Sequence, residues 1–380
     1  MATRQMILYC AAIVMHGLGQ GRTATVQSVD LFVPVAPVTF TQAGRTQLAY
    51  ELHITNFLAV DVSLTAVRVL SGASGSALAE YQDQDLRQRI VRPGLRHDDP
   101  TPQLVGAGMR AVLMLWIALP AGEPAPPSVR HAVQMEVMRS TGPVSTLTSG
   151  GVATVTTSEP LALDPPLRGG PWVAIYDPLL KGGHRTAIYT VGGRARIPAR
   201  FAIDWIALPP GGALIPKATT RPADWNGFGS EVLAVGDGLI SAAADDVADF
   251  TQPPIPLELA SGNYVAIDLG TGRFAFYEHL QRGSILVKVG DRVTRGQVIA
   301  RLGASGSSSI GPHLHFHVSD ANSALEAEGL PFVFNRFDHL GEFSSIGALV
   351  NGEKWSAAPV GSRPSRSRER PEPNAVLRFP

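Results

Sequence analysis

Residues 303–318 read GASGSSSIGPHLHFHV, and this stretch restricts the fold more than any other. After Pro312, histidines alternate with apolar residues. In a β-strand, side chains two apart share a face, so His313, His315 and His317 point one way while Leu314 and Phe316 enter a core. A single histidine on a strand face is ordinarily a packing residue. Three in alternation beside a Gly/Ser-rich loop form an imidazole cluster suited to metal or proton chemistry, the alternative being a solvated edge strand. Gly303, Gly306 and Gly311 do not read as a phosphate loop, because phosphate-cradling patterns lead into a helix and a strand follows here. They are expected to form turns that bring the loop up to the histidine face.

The rest of the chain favours an all-β architecture. Its 380 residues can hold two domains with cores of their own. With 39 glycines, 30 prolines and few long periodic apolar segments, short strands and many turns are expected. Lysine plus arginine balances aspartate plus glutamate at 32 each, so no basic field points to nucleic acid.

Residues 1–25 carry Arg4 and then an apolar run from about Met6 to Met15, shorter than the roughly 20 residues that cross a bilayer. A secretory signal peptide is expected, with an uncleaved anchor as the alternative. The mature chain would then be secreted or periplasmic, without a membrane span. Cys10, the single cysteine, falls in this segment, so no disulfide is available to the mature chain.

Residues 26–160 contain strand-like runs such as TQLAYELHITNF, VDVSLTAVRVL and MRAVLMLWIAL, spaced as in an immunoglobulin-like β-sandwich. Leu48, Tyr50, Leu52 and Ile54 alternate with polar neighbours, as in a half-buried strand. His53, His97 and His131 are scattered and are expected to be packing or surface residues. A Pro/Gly-rich boundary, LALDPPLRGGPW, precedes a second β domain over 170–350. There SGNYVAIDLG and GRFAFYEHL make a hairpin about Thr271-Gly272. Strand alternation puts Glu278 on the face opposite His279, towards solvent. Residues 356–380, rich in Pro, Ser and Arg, are expected to be a disordered tail.

Four ordered pieces of this second domain, FAIDW, VLAVGDGLI, FAFYEHL followed by VKVGDRVTRGQVIARLGASGSS, and PHLHFHV, resemble the lysostaphin-type zinc metallopeptidases, which cut peptide bonds in peptidoglycan. The likeness covers about residues 183–319. It implies a lipoyl/biotinyl-carrier-like antiparallel β-sandwich, the duplicated hybrid motif, with zinc in a groove on one sheet. Position by position, it implies that Asp204 and His315 are zinc ligands and that His279 and His313 are catalytic. For His317 it implies no role, and this residue is expected to line the groove or to support a ligand from behind. The implied substrate is peptidoglycan peptides or another peptide. A catalytic zinc takes about three protein ligands and leaves a position for water, whose pKa it lowers toward about 7. One imidazole can take the proton and another can hydrogen-bond the developing oxyanion.

The chain departs from the family at one position. The family's first ligand is a histidine four residues before the aspartate, and here that residue is Arg200, whose guanidinium has no acceptor lone pair to offer. His184 replaces it if the following hairpin turns over three residues, Val191-Gly192-Gly193, which sets His184 opposite Arg200. A two-residue Gly192-Gly193 turn pairs His184 with Phe201 and faces it away. Without a replacement, the domain would be a catalytically inactive cell-envelope binding or activator module. An Arg200 buried against Asp204 would mark that second outcome. A carrier-like domain is a weaker third reading, because Lys288 does not sit in an attachment-type hairpin tip.

Overall fold

The computed structural model describes residues 29–156, 158–209, 224–250, 254–307, 311–359 and 365–380, so the expected signal peptide lies outside the described residues. Among the described residues the chain is built almost wholly of antiparallel strands. The first domain consists of two five-stranded sheets. Arg45–Asn56 and Arg110–Ala118 are the centre of one, and Val62–Ser71 and Ser128–Arg139 the centre of the other. Leu48, Tyr50, Leu52 and Ile54 meet Val67, Val69, Val133 and Met135 in a single core, as their alternation requires.

The opposite face of Arg45–Asn56 is not solvated. Residues 47–56 are buried without a break. Ala49 and Glu51 on that face are covered by the second domain, whose core takes in Phe40 and Ala49 and whose Arg185 and Arg200 hold Glu51. Phe40 and Trp116 pack against Phe201 with ring centroids 5.8 and 5.9 Å apart, so aromatic side chains join the two domains.

The second domain is organised by a long antiparallel sheet. In spatial order it runs through Gly238–Ala244, Asn263–Asp268, Phe274–Leu280, Leu314–Ser319, Ile203–Ala207, Gly169–Ile175, Ala375–Phe379 and Phe337–Glu342. A short two-stranded sheet, Glu231–Leu233 with Val298–Arg301, adds Val232, Ile299 and Ala300 to the core that Trp205, Tyr277 and Phe316 form beneath the long sheet. The Thr271-Gly272 turn forms as read, with both residues at positive φ.

Two expectations are corrected. The tail expected to be disordered over 356–380 is ordered in its described residues: Ala375–Phe379 is an interior strand of the long sheet, and Arg370 is fully buried over the Tyr176 ring at 4.4 Å. Val376, Leu377 and Phe379 supply an apolar strand that the polar composition of the preceding residues conceals. For the same reason the second unit does not end at 350. Of the two turns the sequence left open, the two-residue one forms: Tyr189–Val191 pairs with Arg194–Arg196 through Gly192-Gly193, both glycines at positive φ. This hairpin ends at Arg196. The chain then turns through Arg200 and Ala202 before entering Ile203–Ala207, so the hairpin register does not govern where His184 lies.

Candidate metal centre

The histidine strand Leu314–Ser319 pairs with Ile203–Ala207 on one side and Phe274–Leu280 on the other. Asp204 faces His315 directly across the first pair, and Glu278 faces His315 across the second. His315 Nδ1 lies 2.9 Å from Asp204 Oδ1. His184 arrives from a 3₁₀ turn, His184–Thr186, with Nε2 3.2 Å from Asp204 Oδ2 and its ring edge-on to His315 at 4.7 Å. One donor atom each from His184, Asp204 and His315 lie within 4.8 Å of one another. Two imidazole nitrogens and a carboxylate suit a tetrahedral zinc. Its ligands at about 2.0–2.1 Å stand about 3.3 Å from each other, close to the two contacts just given.

His279 and His313 stand beside this set, their ring centroids 4.6 Å apart. His279 reaches the site through a backbone departure. It has φ +62°, while regular alternation would send it into the core beside Tyr277. Its amide donates to the Ser261 carbonyl at 3.0 Å, and its Nδ1 lies 2.8 Å from the Ser305 carbonyl. A carbonyl only accepts, so Nδ1 carries the proton and Nε2 is left as an acceptor. The same holds for His313, whose Nδ1 lies 2.8 Å from the Gly311 carbonyl and whose Nε2 lies 3.7 Å from Asp204 Oδ1. The loop that places Ser305 comes close because Gly306 has φ +70° and no side chain; a Cβ there would collide with the Gly262 backbone.

Electrostatics separate the roles of these groups. Burial alone would raise the Asp204 carboxyl. Electrostatic attraction to the His184 and His313 rings and hydrogen bonds from His184 and His315 outweigh it, and the group is held well below the carboxylate range. Burial lowers His313, and lowers His279 well below its ordinary value with help from the neighbouring histidines. Both are therefore neutral at pH 7. His315 is pulled down by burial but raised overall by Asp204 and Glu278.

Glu278 is the residue that sequence alternation misplaced. It is buried on the site face, not exposed, because His279 leaves the regular pattern and Glu278 does not. His317 is not in the wall of the cleft: it is buried beside His315, stacked on Phe276 at 4.9 Å, with Nδ1 3.2 Å from His315 Nε2. A metal-binding imidazole is ordinarily held through its second nitrogen, and Glu278 and His317 stand on that side of His315.

Arg200 is buried but turned away from Asp204. Its Nε donates to Glu51 at 3.0 Å and its Nη2 to Glu328 at 2.9 Å. Arg185, the neighbour of His184, also holds Glu51, donating from Nη2 at 2.9 Å and Nε at 3.1 Å. Burial would raise the Glu51 carboxyl, but the two guanidinium groups outweigh it and keep it below its ordinary value. Nothing in the sequence near Glu51 marked it as part of this centre. The cleft over the site, about 250 Å³, is lined by His184, Asp204, His279, His313 and His315, with Trp116 of the first domain in its wall.

Residues 223–327 match the model of Peptidase family M23. The chain carries an M23 peptidase domain. The matched M23 segment contains Glu278, His279, His313, His315 and His317 and begins after Asp204, so His184 and Asp204 join the site by geometry. Among curated proteins, the peptidoglycan DD-endopeptidase ShyC of Vibrio cholerae is 38% identical over 88 residues, covering 23% of this chain and 17% of that one. ShyB, a peptidoglycan DD-endopeptidase of the same organism, is 45% identical over 67 residues, covering 18% of this chain and 15% of its own. The aligned region thus spans about a sixth of these relatives. Among solved structures, a zinc-containing peptidase from Vibrio cholerae is 18% identical, covering 80% of this chain and 86% of that one, with a TM-score of 0.27.

Proposed function

We propose that the protein is a zinc-dependent endopeptidase that hydrolyses peptide bonds in peptidoglycan crosslinks, outside the cytoplasm. The observation that carries this reading is the convergence of His184, Asp204 and His315 donors within 4.8 Å, with two histidines alongside, His279 and His313, each turned by a carbonyl at Nδ1. The peptidoglycan substrate class is supported by the M23 match and by the activity named for the two curated relatives.

His184, Asp204 and His315 would hold the metal. Bound zinc supplies an acidified water and a Lewis acid for the scissile carbonyl. Asp204, kept ionised, contributes the negative charge of the donor set. His279 and His313 present one unprotonated nitrogen each, so one can take a proton from the attacking water. Once protonated, that imidazole can return the proton to the leaving amine. The other orients the substrate or steadies the charge on its carbonyl oxygen. Carbonyl groups of Ser305 and Gly311 fix both rings in the tautomer this requires. Arg200 is held by Glu51 and Glu328, which favours this reading over the inactive module.

The test is incubation of the purified mature protein with crosslinked muropeptides. Loss of crosslinked dimers that stops with a chelator and returns with zinc is expected. Intact dimers with a folded, zinc-loaded protein would overturn the proposed activity.

A further inference from the structure

The second domain lacks a histidine at position 200 and takes His184 instead, from a short turn that no sheet hydrogen bonds hold in place. Thr186 closes the turn locally, its Oγ1 donating to the Leu180 carbonyl at 2.9 Å, and the residue that anchors it to the first domain is Arg185. Arg185 is almost wholly buried and spends its guanidinium on the first domain: on Glu51 Oε1, on the Tyr50 carbonyl at 2.7 Å and on the Leu115 carbonyl at 2.8 Å. Its plane also lies over the Trp116 ring at 5.4 Å. Glu51 itself is 1% exposed and uses its other oxygen on Arg200 at 3.0 Å. One carboxylate of the first sandwich thus restrains both residues by which this site departs from the family pattern.

We propose that Glu51 is a positioning residue of the metal centre: through Arg185 it sets His184 against Asp204, and it draws the Arg200 guanidinium away from the same carboxylate. The first sandwich then completes the site and is no mere appendage. A free Arg200, four residues before Asp204, would compete for that carboxylate as a charge-assisted hydrogen-bond donor. A free 184–186 turn would leave the metal with two ligands.

This inference rests on the metal reading above. The test is therefore zinc affinity of the full mature chain, measured by competition with a chromophoric chelator, as a double-mutant cycle of Glu51→Gln and His184→Ala. Wild type that stays folded and binds no zinc would overturn the metal reading itself. If wild type binds, Glu51→Gln is expected to weaken binding about 10- to 100-fold, the range for residues that orient a metal ligand. In the His184→Ala background it is expected to change affinity far less, because the residue it positions is gone. Unchanged affinity in the single variant, or equal losses in both backgrounds, would overturn the proposal. The visible spectrum of the cobalt-loaded Glu51→Gln chain should show altered coordination, which a general loss of stability would not produce. Should Glu51→Gln fail to fold, Arg185→Lys carries the same cycle, since it keeps a cation near Glu51 but loses the forked contacts to Tyr50 and Leu115.

Discussion

Arg200 donates from Nε to the Glu51 carboxylate at 3.0 Å across the boundary between the two domains, both side chains being buried. The residue that disqualifies the usual first metal ligand is therefore committed to a structural pair. Buried pairs contribute little net stability when complete, yet removing one partner strands a charge. Arg200→Met leaves Glu328 with the Ile197 amide at 3.3 Å and the 4.0 Å contact to Arg196, and removes one of the two cations at Glu51. A loss of about 3–5 kcal/mol is expected in urea unfolding, and a loss below about 1 kcal/mol would contradict the pairing.

His279 and His313 lie beside His184, Asp204 and His315 but outside that three-residue group. His279→Ala and His313→Ala should each lower hydrolysis about 100- to 10,000-fold while zinc content stays at the wild-type level. Metal analysis and a crosslink-cleavage assay on the same preparations check this. Loss of zinc in either variant would move that histidine into the ligand set.

Stability should depend on pH through His131, which lies in the first domain's core between Tyr50 and the Gly151 carbonyl. Burial lowers its pKa to about 4, with the Gly151 and Gly150 carbonyls opposing only in part. Above the ordinary value of about 6.5 both folded and unfolded chains are neutral here and stability is complete. As pH falls from there, the unfolded chain takes the proton first, and stability declines until the folded value near 4 is passed. The full loss is about 3 kcal/mol. His53, also lowered to about 4 chiefly by burial, acts in the same direction. Urea unfolding of wild type and His131→Gln between pH 7.5 and 4 should give a shallower slope for the variant, and parallel slopes would contradict this account.

The strand Ala375–Phe379 is an interior member of the long sheet, next to the strand Gly169–Ile175 that flanks Asp204. Burying Val376, Leu377 and Phe379 is worth about 1.5–3 kcal/mol each. Truncation after residue 364 should abolish cooperative thermal unfolding, where a dispensable tail would leave the transition unchanged.

The histidine strand was legible because strand alternation is a local rule: His313, His315 and His317 do share a face, and Asp204 pairs with His315 across the sheet. Where backbone leaves that rule, the sequence misleads. A single positive φ at His279 puts it on the same side as Glu278, which strict alternation assigns to opposite faces. The hairpin turn falls on Gly192-Gly193, yet His184 still reaches Asp204, because its position depends on Arg185 and a contact 134 residues distant. Glu51 was invisible for the same reason. Alternation in Arg45–Asn56 predicts one buried face, and only the covering domain explains why its polar face is buried too.

Zinc content of the mature chain, measured beside His184→Ala after exhaustive dialysis, tests the central claim most directly. One zinc per chain in the wild type and none in the variant is expected. A folded wild type without zinc, or a variant that keeps it, would contradict the assignment of His184 to the metal centre.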